Sequence, residues 1–204
     1  MHVERTPDHP IEPLFLTRWS PRAYDASTMP HGDLLTLLEA GRWAPSAFNI
    51  QPWRFLYAMR DDDHWRAFLS LLDPFNQQWA GSASALIFLA SDTVMPGDNT
   101  RPAAKSKYNS FDAGAAWMQI ALQAAAHGYS AHAMAGLVFD KAPKILQLPA
   151  RFRLEIGIAV GRRADAACLP DELQMREAPS GRMSLEEVAF PGPFPRHFEA
   201  IAAE

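Results

Sequence analysis

The run Ala85-Leu86-Ile87-Phe88-Leu89-Ala90 constrains this chain more than any other stretch. It has no polar face and is bounded by small polar residues, which suits a strand buried on both sides. Such a strand needs one covering layer above it and another below. With 204 residues the chain is long enough to supply them. The apolar stretch around the run, Ala83 to Ala90, is far too short for a bilayer span, which takes about 20 residues.

The covering layers can be sought in the periodicity. Asp33 to Arg42 reads as a helix, with Leu34, Leu35, Leu37 and Leu38 as its apolar stripe and Pro45 as its stop. Arg54 to Met59 reads as a strand, His64 to Leu72 as a helix, and Arg153 to Val160 as an alternating strand. The strongest helix signal is Phe111 to His127, with Asp112 in its first turn and Gly128 at its end. Trp117 and Met118 on that helix read as core. Ser91 to Ser110 and Asp165 to Met183 read as long polar loops, a kind that is usually functional or mobile. The tail from Leu185 to Glu204 sets Phe190, Phe194 and Phe198 among prolines. It cannot build its own core, so it is expected to pack on another surface. Helices alternating with strands predict an α+β sandwich with a mixed sheet.

The net charge is -4, so the chain as a whole does not attract nucleic acid, and a bound anion must be met by a local cluster of cations. Cys168 is the only cysteine, which excludes an intramolecular disulfide and a Cys-rich zinc site. Seven scattered histidines form no HxxxH or HExxH spacing, so no metal site is expected. The polar, acid-bearing segment Met1 to Pro10 does not read as a signal peptide, and no membrane partner is expected. The cytoplasm is the expected compartment. Gly157 to Gly161 lacks the dinucleotide fingerprint, because GxGxxG is absent and no helix is expected after it.

Two segments carry chemistry. Arg18-Trp19-Ser20-Pro21-Arg22 sets two guanidiniums around a hydroxyl, and their forked donors suit phosphate oxygens. Two arginines alone also make an ordinary solvated patch. Ala44-Pro45-Ser46-Ala47-Phe48-Asn49-Ile50-Gln51-Pro52-Trp53 is a loop bracketed by prolines. Ser46, Asn49 and Gln51 both donate and accept there, which suits the edge of a heterocycle. It equally suits a turn that satisfies its own backbone.

Taken together, the Arg-x-Ser-x-Arg start, the Ala-Pro-Ser-x-x-Asn-x-Gln-Pro-Trp loop and the helix opening Asp112-Ala113-Gly114-Ala115-Ala116 resemble the nitroreductase family of FMN enzymes. Ser180-Gly181-Arg182-Met183-Ser184-Leu185-Glu186-Glu187-Val188 is similar to that family's C-terminal phosphate-binding arginine. The match runs over 14–190, within one domain spanning 1–204 whose tail is 191–204. The resemblance implies a nitroreductase-like sandwich: a mixed, largely antiparallel sheet flanked by helices, with a C-terminal extension packing on the partner subunit of a homodimer.

It also implies the site. Arg18 and Arg182 would grip the FMN phosphate, with Trp19 and Ser20 beside them. Arg22 would stand near the pyrimidine end of the flavin. Pro45, Ser46, Ala47 and Asn49 would reach the partner's flavin, Asn76 would meet the ring's polar edge, and Ala135 and Gly136 would approach its reactive nitrogen. NADH or NADPH would deliver hydride, and a nitroaromatic, a quinone or a similar small molecule would accept the electrons in a ping-pong cycle. The flavin carries that chemistry, so no catalytic side chain is needed. A flavin storage or sensing protein, or a dehalogenase-like or flavin-consuming relative, stays open as an alternative. One departure is Trp79, where some members have lysine; an aromatic wall is expected there in place of a charge. His132 reads as a core or surface residue rather than a substrate contact.

Overall fold

A computed structural model of the chain describes residues 5–97, 99–100 and 102–195. In chain order its elements are α1 (Pro13–Thr17), α2 (His31–Arg42), β1 (Trp53–Met59), α3 (Trp65–Leu69), α4 (Pro74–Ala80), β2 (Ala85–Asp92), β3 (Val94–Met95), β4 (Ala104–Lys105), α5 (Asn109–Ala126), β5 (Ser130–Met134), α6 (Ala142–Ile145), β6 (Phe152–Gly161), α7 (Asp171–Gln174) and α8 (Leu185–Val188).

The apolar run is the heart of β2, and every residue of that strand is buried. β2 lies between β1 and β6, and β5 extends the sheet beyond β6, giving the order β1-β2-β6-β5. Every pairing in this sheet is antiparallel, so the mixed character expected of it has no parallel pair among the described residues. Side chains of β2 alternate between two cores, as the strand's period of two requires. Leu86 and Phe88 pack with Trp65, Phe68, Leu72, Trp79 and Leu146 on one face. Ile87 and Leu89 pack with Leu34, Leu37, Ala116 and Ile120 on the other. The sheet is thus sandwiched, with α3, α4 and α6 on one side and α2 and α5 on the other.

Helices α2 and α5 approach closely because small residues line their contact. Ala113, Ala116, Ala121 and Ala124 of α5 are buried in the shared core. A Cβ on Gly41 of α2 would come within 2.8 Å of Ile120, so that crossing accepts no side chain without a shift.

Several expectations are corrected. Helix α4 and strand β5 occupy stretches assigned no element above. The 91–110 loop begins within β2, ends within α5, and carries the small β3–β4 ladder. The 64–72 helix shortens to α3. The 165–183 segment contains a tight turn at Ala166–Cys168 and then α7. Met118, read as core, is 41% exposed, and Leu35 of the α2 stripe is 45% exposed. Both sit on the outer faces of the helices that cover the sheet. Phe198 and the tail beyond residue 195 lie outside the described residues.

Candidate functional site: a cluster of arginines and the cradle beside it

Helix α1 ends at Arg18, whose amide closes the last turn on the Leu14 carbonyl. The chain then extends, and Arg18 Nη1 lies 3.3 Å from Ser20 Oγ. Arg182 arrives from the far end of the sequence, with Nη1 donating to the carbonyl of Gly181 at 2.7 Å. A third guanidinium, Arg5, completes the group. Its Nε donates to the Ser180 carbonyl at 3.0 Å, and its Nη1 donates to the carbonyls of Leu16 and Arg18 at 2.7 and 2.8 Å. Burial, then the neighbouring guanidiniums, holds Arg5 and Arg18 below the ordinary arginine value. None of the three is paired with a carboxylate among the described residues. Clustered, partly desolvated and unneutralised cations are costly, and an anion with several oxygens relieves that cost.

Two devices bring the ends of the chain together here. Glu177 Oε1 accepts from the amides of Arg22 and Ala23 at 2.7 and 2.8 Å, which anchors the 165–183 segment on the Arg18–Arg22 stretch. The stretch itself runs along the end of β6, with Tyr24 bridged to Arg163 and Asp25 N bonded to the Arg162 carbonyl at 3.1 Å.

Arg22 points elsewhere than Arg18. Its guanidinium lies 5.9 Å from the centroid of Trp79. Its Nε is buried without a hydrogen-bond partner, as are Trp79 Nε1 and Glu177 Oε2. His132 of β5 packs on the same indole, with ring centroids 4.7 Å apart, and its Nδ1 lies 3.0 Å from the Pro21 carbonyl. That nitrogen therefore carries the proton and donates, which leaves Nε2 as an acceptor. Burial pushes the imidazole down to about 4; Arg22 and Arg18 add to the shift, while the carbonyls of Pro21 and Ser20 oppose it.

Asn76 and Gly136 form an adjoining cradle. Asp73 caps α4 by accepting from Asn76 N at 2.7 Å, and its own amide donates to the Gly136 carbonyl at 3.0 Å. Asn76 Nδ2 reaches the same carbonyl at 3.3 Å. Ala135, exposed, enters this turn just after β5. Leu137 and Val138 then pair with Leu72 and Leu71, which fixes the segment against the start of α4.

The fold of this arrangement matches known proteins. The family model described as the nitroreductase family covers residues 16–73 and 57–162. The chain belongs to the nitroreductase family. A solved structure described as an oxidoreductase containing FMN superposes on this chain with a TM-score of 0.90 and 47% identity, covering 94% of this chain and 96% of that one. A CLA biosynthesis enone reductase of Lactiplantibacillus plantarum is 27% identical over 196 residues, 79% of this chain and 89% of the relative. An uncharacterized 15.4 kDa protein of Mycolicibacterium smegmatis is 35% identical over 115 residues, 56% of this chain and 74% of the relative.

In this chain the sequence-derived residues fall into separate groups. Arg18, Ser20 and Arg182 come together. Trp19 and Arg18 line a neighbouring groove of about 460 Å³ with Tyr129, Arg162 and Arg163. Asn76, Ala135 and Gly136 come together beside Asp73. Pro45, Ser46, Ala47 and Asn49 make no hydrogen bond to any of these among the described residues. Their loop is held from α5, where the buried Asp112 carboxylate accepts from Ala47 N at 3.3 and 3.2 Å. Ser46 Oγ accepts from Gln51 N at 2.9 Å, and Phe48, Asn49 and Gln51 all take positive φ. Such strain, about 1–3 kcal/mol per residue, persists where the surroundings enforce it, and it collects at functional sites.

Trp79 is corrected. It is 1% exposed and stacks on Tyr24 at 6.3 Å, so it is core and not an aromatic wall. Arg5, Asp73 and Glu177 were not singled out from the sequence. Asp73 was findable, because Asp followed by Pro at the first helical position is a helix-start signature. Nothing local marks Arg5 or Glu177, whose partners are backbone groups far away in the chain. Among the described residues no set of His, Cys, Asp or Glu is placed to hold a metal, and no helix is long and apolar enough to cross a membrane.

Proposed function

We propose that this family member binds FMN, takes two electrons from NADH or NADPH, and passes them to a small acceptor in a ping-pong cycle. The observation that carries the reading is the Arg5–Arg18–Arg182 cluster, whose like charges call for a terminal phosphate. FMN, when bound, supplies the hydride chemistry. Arg18, Arg182 and Ser20 bind the phosphate, and Trp19 borders it. Arg22, held over Trp79, sets a positive charge beside the pyrimidine edge. Asn76, with Nδ2 committed to the Gly136 carbonyl, keeps Oδ1 as an acceptor for a ring N–H. Ala135 and Gly136 present backbone to the ring. Nitroaromatics and quinones fit as acceptors, and the enone reductase relative adds activated alkenes.

The active unit is a homodimer in this reading, working in the cytoplasm. Phe48, Trp43 and Phe111 are 67%, 70% and 79% exposed around the Pro45–Asn49 loop and α5. Solvent-facing aromatics so grouped are characteristic of an interface. The loop then reaches the partner's flavin.

The test is a flavin titration with turnover. The purified protein is expected to be yellow, to release FMN on denaturation, to bind riboflavin far more weakly than FMN, and to oxidise NADH or NADPH. Equal affinity for riboflavin and FMN would remove the phosphate reading. Tight FMN binding without nicotinamide oxidation would favour a storage or sensing role. Arg182→Ala is expected to lose about 10- to 150-fold in FMN affinity and regain most turnover at saturating FMN. Arg22→Ala is expected to stay slow even when saturated.

A further inference from the structure

The Arg5 guanidinium occupies an unusual place. It is half-buried, and it spends its donors on carbonyl oxygens rather than on an acid. The carbonyls belong to two segments. Leu16 and Arg18 end α1 and carry the first arginine of the cluster. Ser180, 175 residues from Arg5 in sequence, opens the turn that carries Arg182. Arg182 Nη1 in turn lies 3.3 Å from Ser180 Oγ and 2.7 Å from the Gly181 carbonyl, so its own posture depends on where that turn is pinned. No backbone–backbone hydrogen bond joins Leu16–Arg18 to Ser180–Arg182 among the described residues. Arg5 is the bond between them.

We propose that Arg5 is the positioning residue of the phosphate site: its planar fork clamps the Arg18 segment to the Arg182 segment and sets the spacing of the two phosphate-binding guanidiniums. The inference rests on the FMN reading above. The requirement is geometric. The Nε–H and Nη1–H bonds of a planar guanidinium point in different, fixed directions, so one side chain addresses two chain segments, Ser180 from Nε and Leu16 and Arg18 from Nη1. A lysine in the same place supplies the charge from a single atom and cannot hold both segments in register. The cluster also explains why the clamp is cationic. It adds a third positive charge to the phosphate's surroundings while bonding only to neutral carbonyls.

The experiment titrates flavin-free full-length protein with FMN and with riboflavin, following fluorescence quenching. Wild type, Arg5→Ala, Arg5→Lys, Arg182→Ala and the Arg5→Ala/Arg182→Ala double variant are compared. Arg5→Ala is expected to weaken FMN binding by about 10- to 100-fold and to leave riboflavin affinity within about twofold, because riboflavin has no phosphate. Arg5→Lys is expected to recover only a minor part of the loss. Because Arg5 acts through Arg182, removing it in the Arg182→Ala background should cost far less than removing it alone. The proposal is overturned if Arg5→Lys binds FMN as wild type does, since charge alone would then suffice. It is equally overturned if Arg5→Ala is neutral, if riboflavin and FMN affinities fall in parallel, or if the two arginine effects are additive. A wild-type protein that does not prefer FMN to riboflavin fails at the earlier step, and that result overturns the phosphate reading itself.

Discussion

His132 shows how a single side chain ties the site to pH. Its imidazole is buried against Trp79 with Arg22 and Arg18 nearby, and its folded value near 4 lies below the ordinary histidine value of 6.5. The unfolded chain therefore binds a proton more readily than the folded one in that window. Stability is full above about pH 6.5, falls as the pH drops through the window, and levels off near pH 4, a total loss of roughly 3 kcal/mol. Denaturant unfolding at pH 7 and pH 5 checks this, and His132→Gln should flatten the difference between them. Gly136 makes a second prediction. A Cβ there would collide with the Asp73 carboxylate and stand 2.6 Å from Asn76 Nδ2. Gly136→Ala should break the bond from Asp73 N, cost about 1–3 kcal/mol of stability, and loosen the cradle, so that flavin retention falls along with the melting temperature. The family resemblance pointed to Asn76 and Gly136, but not to Asp73 as what joins them. Trp79 was misread for a related reason. A position aligned with a family lysine says which residue stands there, whereas the turn of α4 decides that its side chain goes into the core.

The elements that could be read from sequence were those with a strong period or a strong stop. β2 announced itself by an unbroken apolar run, and α5 by length, a first-turn acid and a closing Gly128. β5 was missed because Ser-Ala-His-Ala-Met has no β-branched residue, and its strand state is imposed by the ladder with β6. α4 was missed because it is short and polar at its centre, held by the Asp73 cap and by Trp79 in the core. The loop from Ser46 to Gln51 could be recognised as chemically rich, but not as strained, because nothing local shows which φ a phenylalanine or asparagine must take. Its support comes from α5, through Asp112. Asp112→Ala should therefore release Ala47 N and destabilise the loop by about 1–2 kcal/mol. Amide hydrogen exchange should accelerate over residues 46–51 while β2 stays protected. Unchanged exchange in the loop would mean that the prolines alone hold it.

The whole molecule leaves part of its surface unaccounted for by one chain. A net charge of -4 coexists with an uncompensated arginine cluster, so the anion-binding field is local and built by folding. The apolar outer face of α5 is equally specific: Phe111 and Met118 are seven residues apart, hence two turns apart on one side of the helix, and both are exposed. Trp43 and Phe48 continue that apolar surface beside the strained loop. In one chain this surface costs solubility, whereas across a twofold axis it would bury against its own copy and carry the Pro45–Asn49 loop toward the second site. Phe111→Glu tests that account, because it places a charge on the exposed face without touching the core of the single chain. The folded protein should sediment as a monomer where the wild type is expected to sediment as a dimer, and its FMN should dissociate although Arg5, Arg18 and Arg182 are intact. Retention of both the dimer and the flavin would put the interface on another face. A monomer that still holds FMN tightly would mean that the loop gives the partner's flavin nothing and that the arginine cluster alone accounts for its affinity.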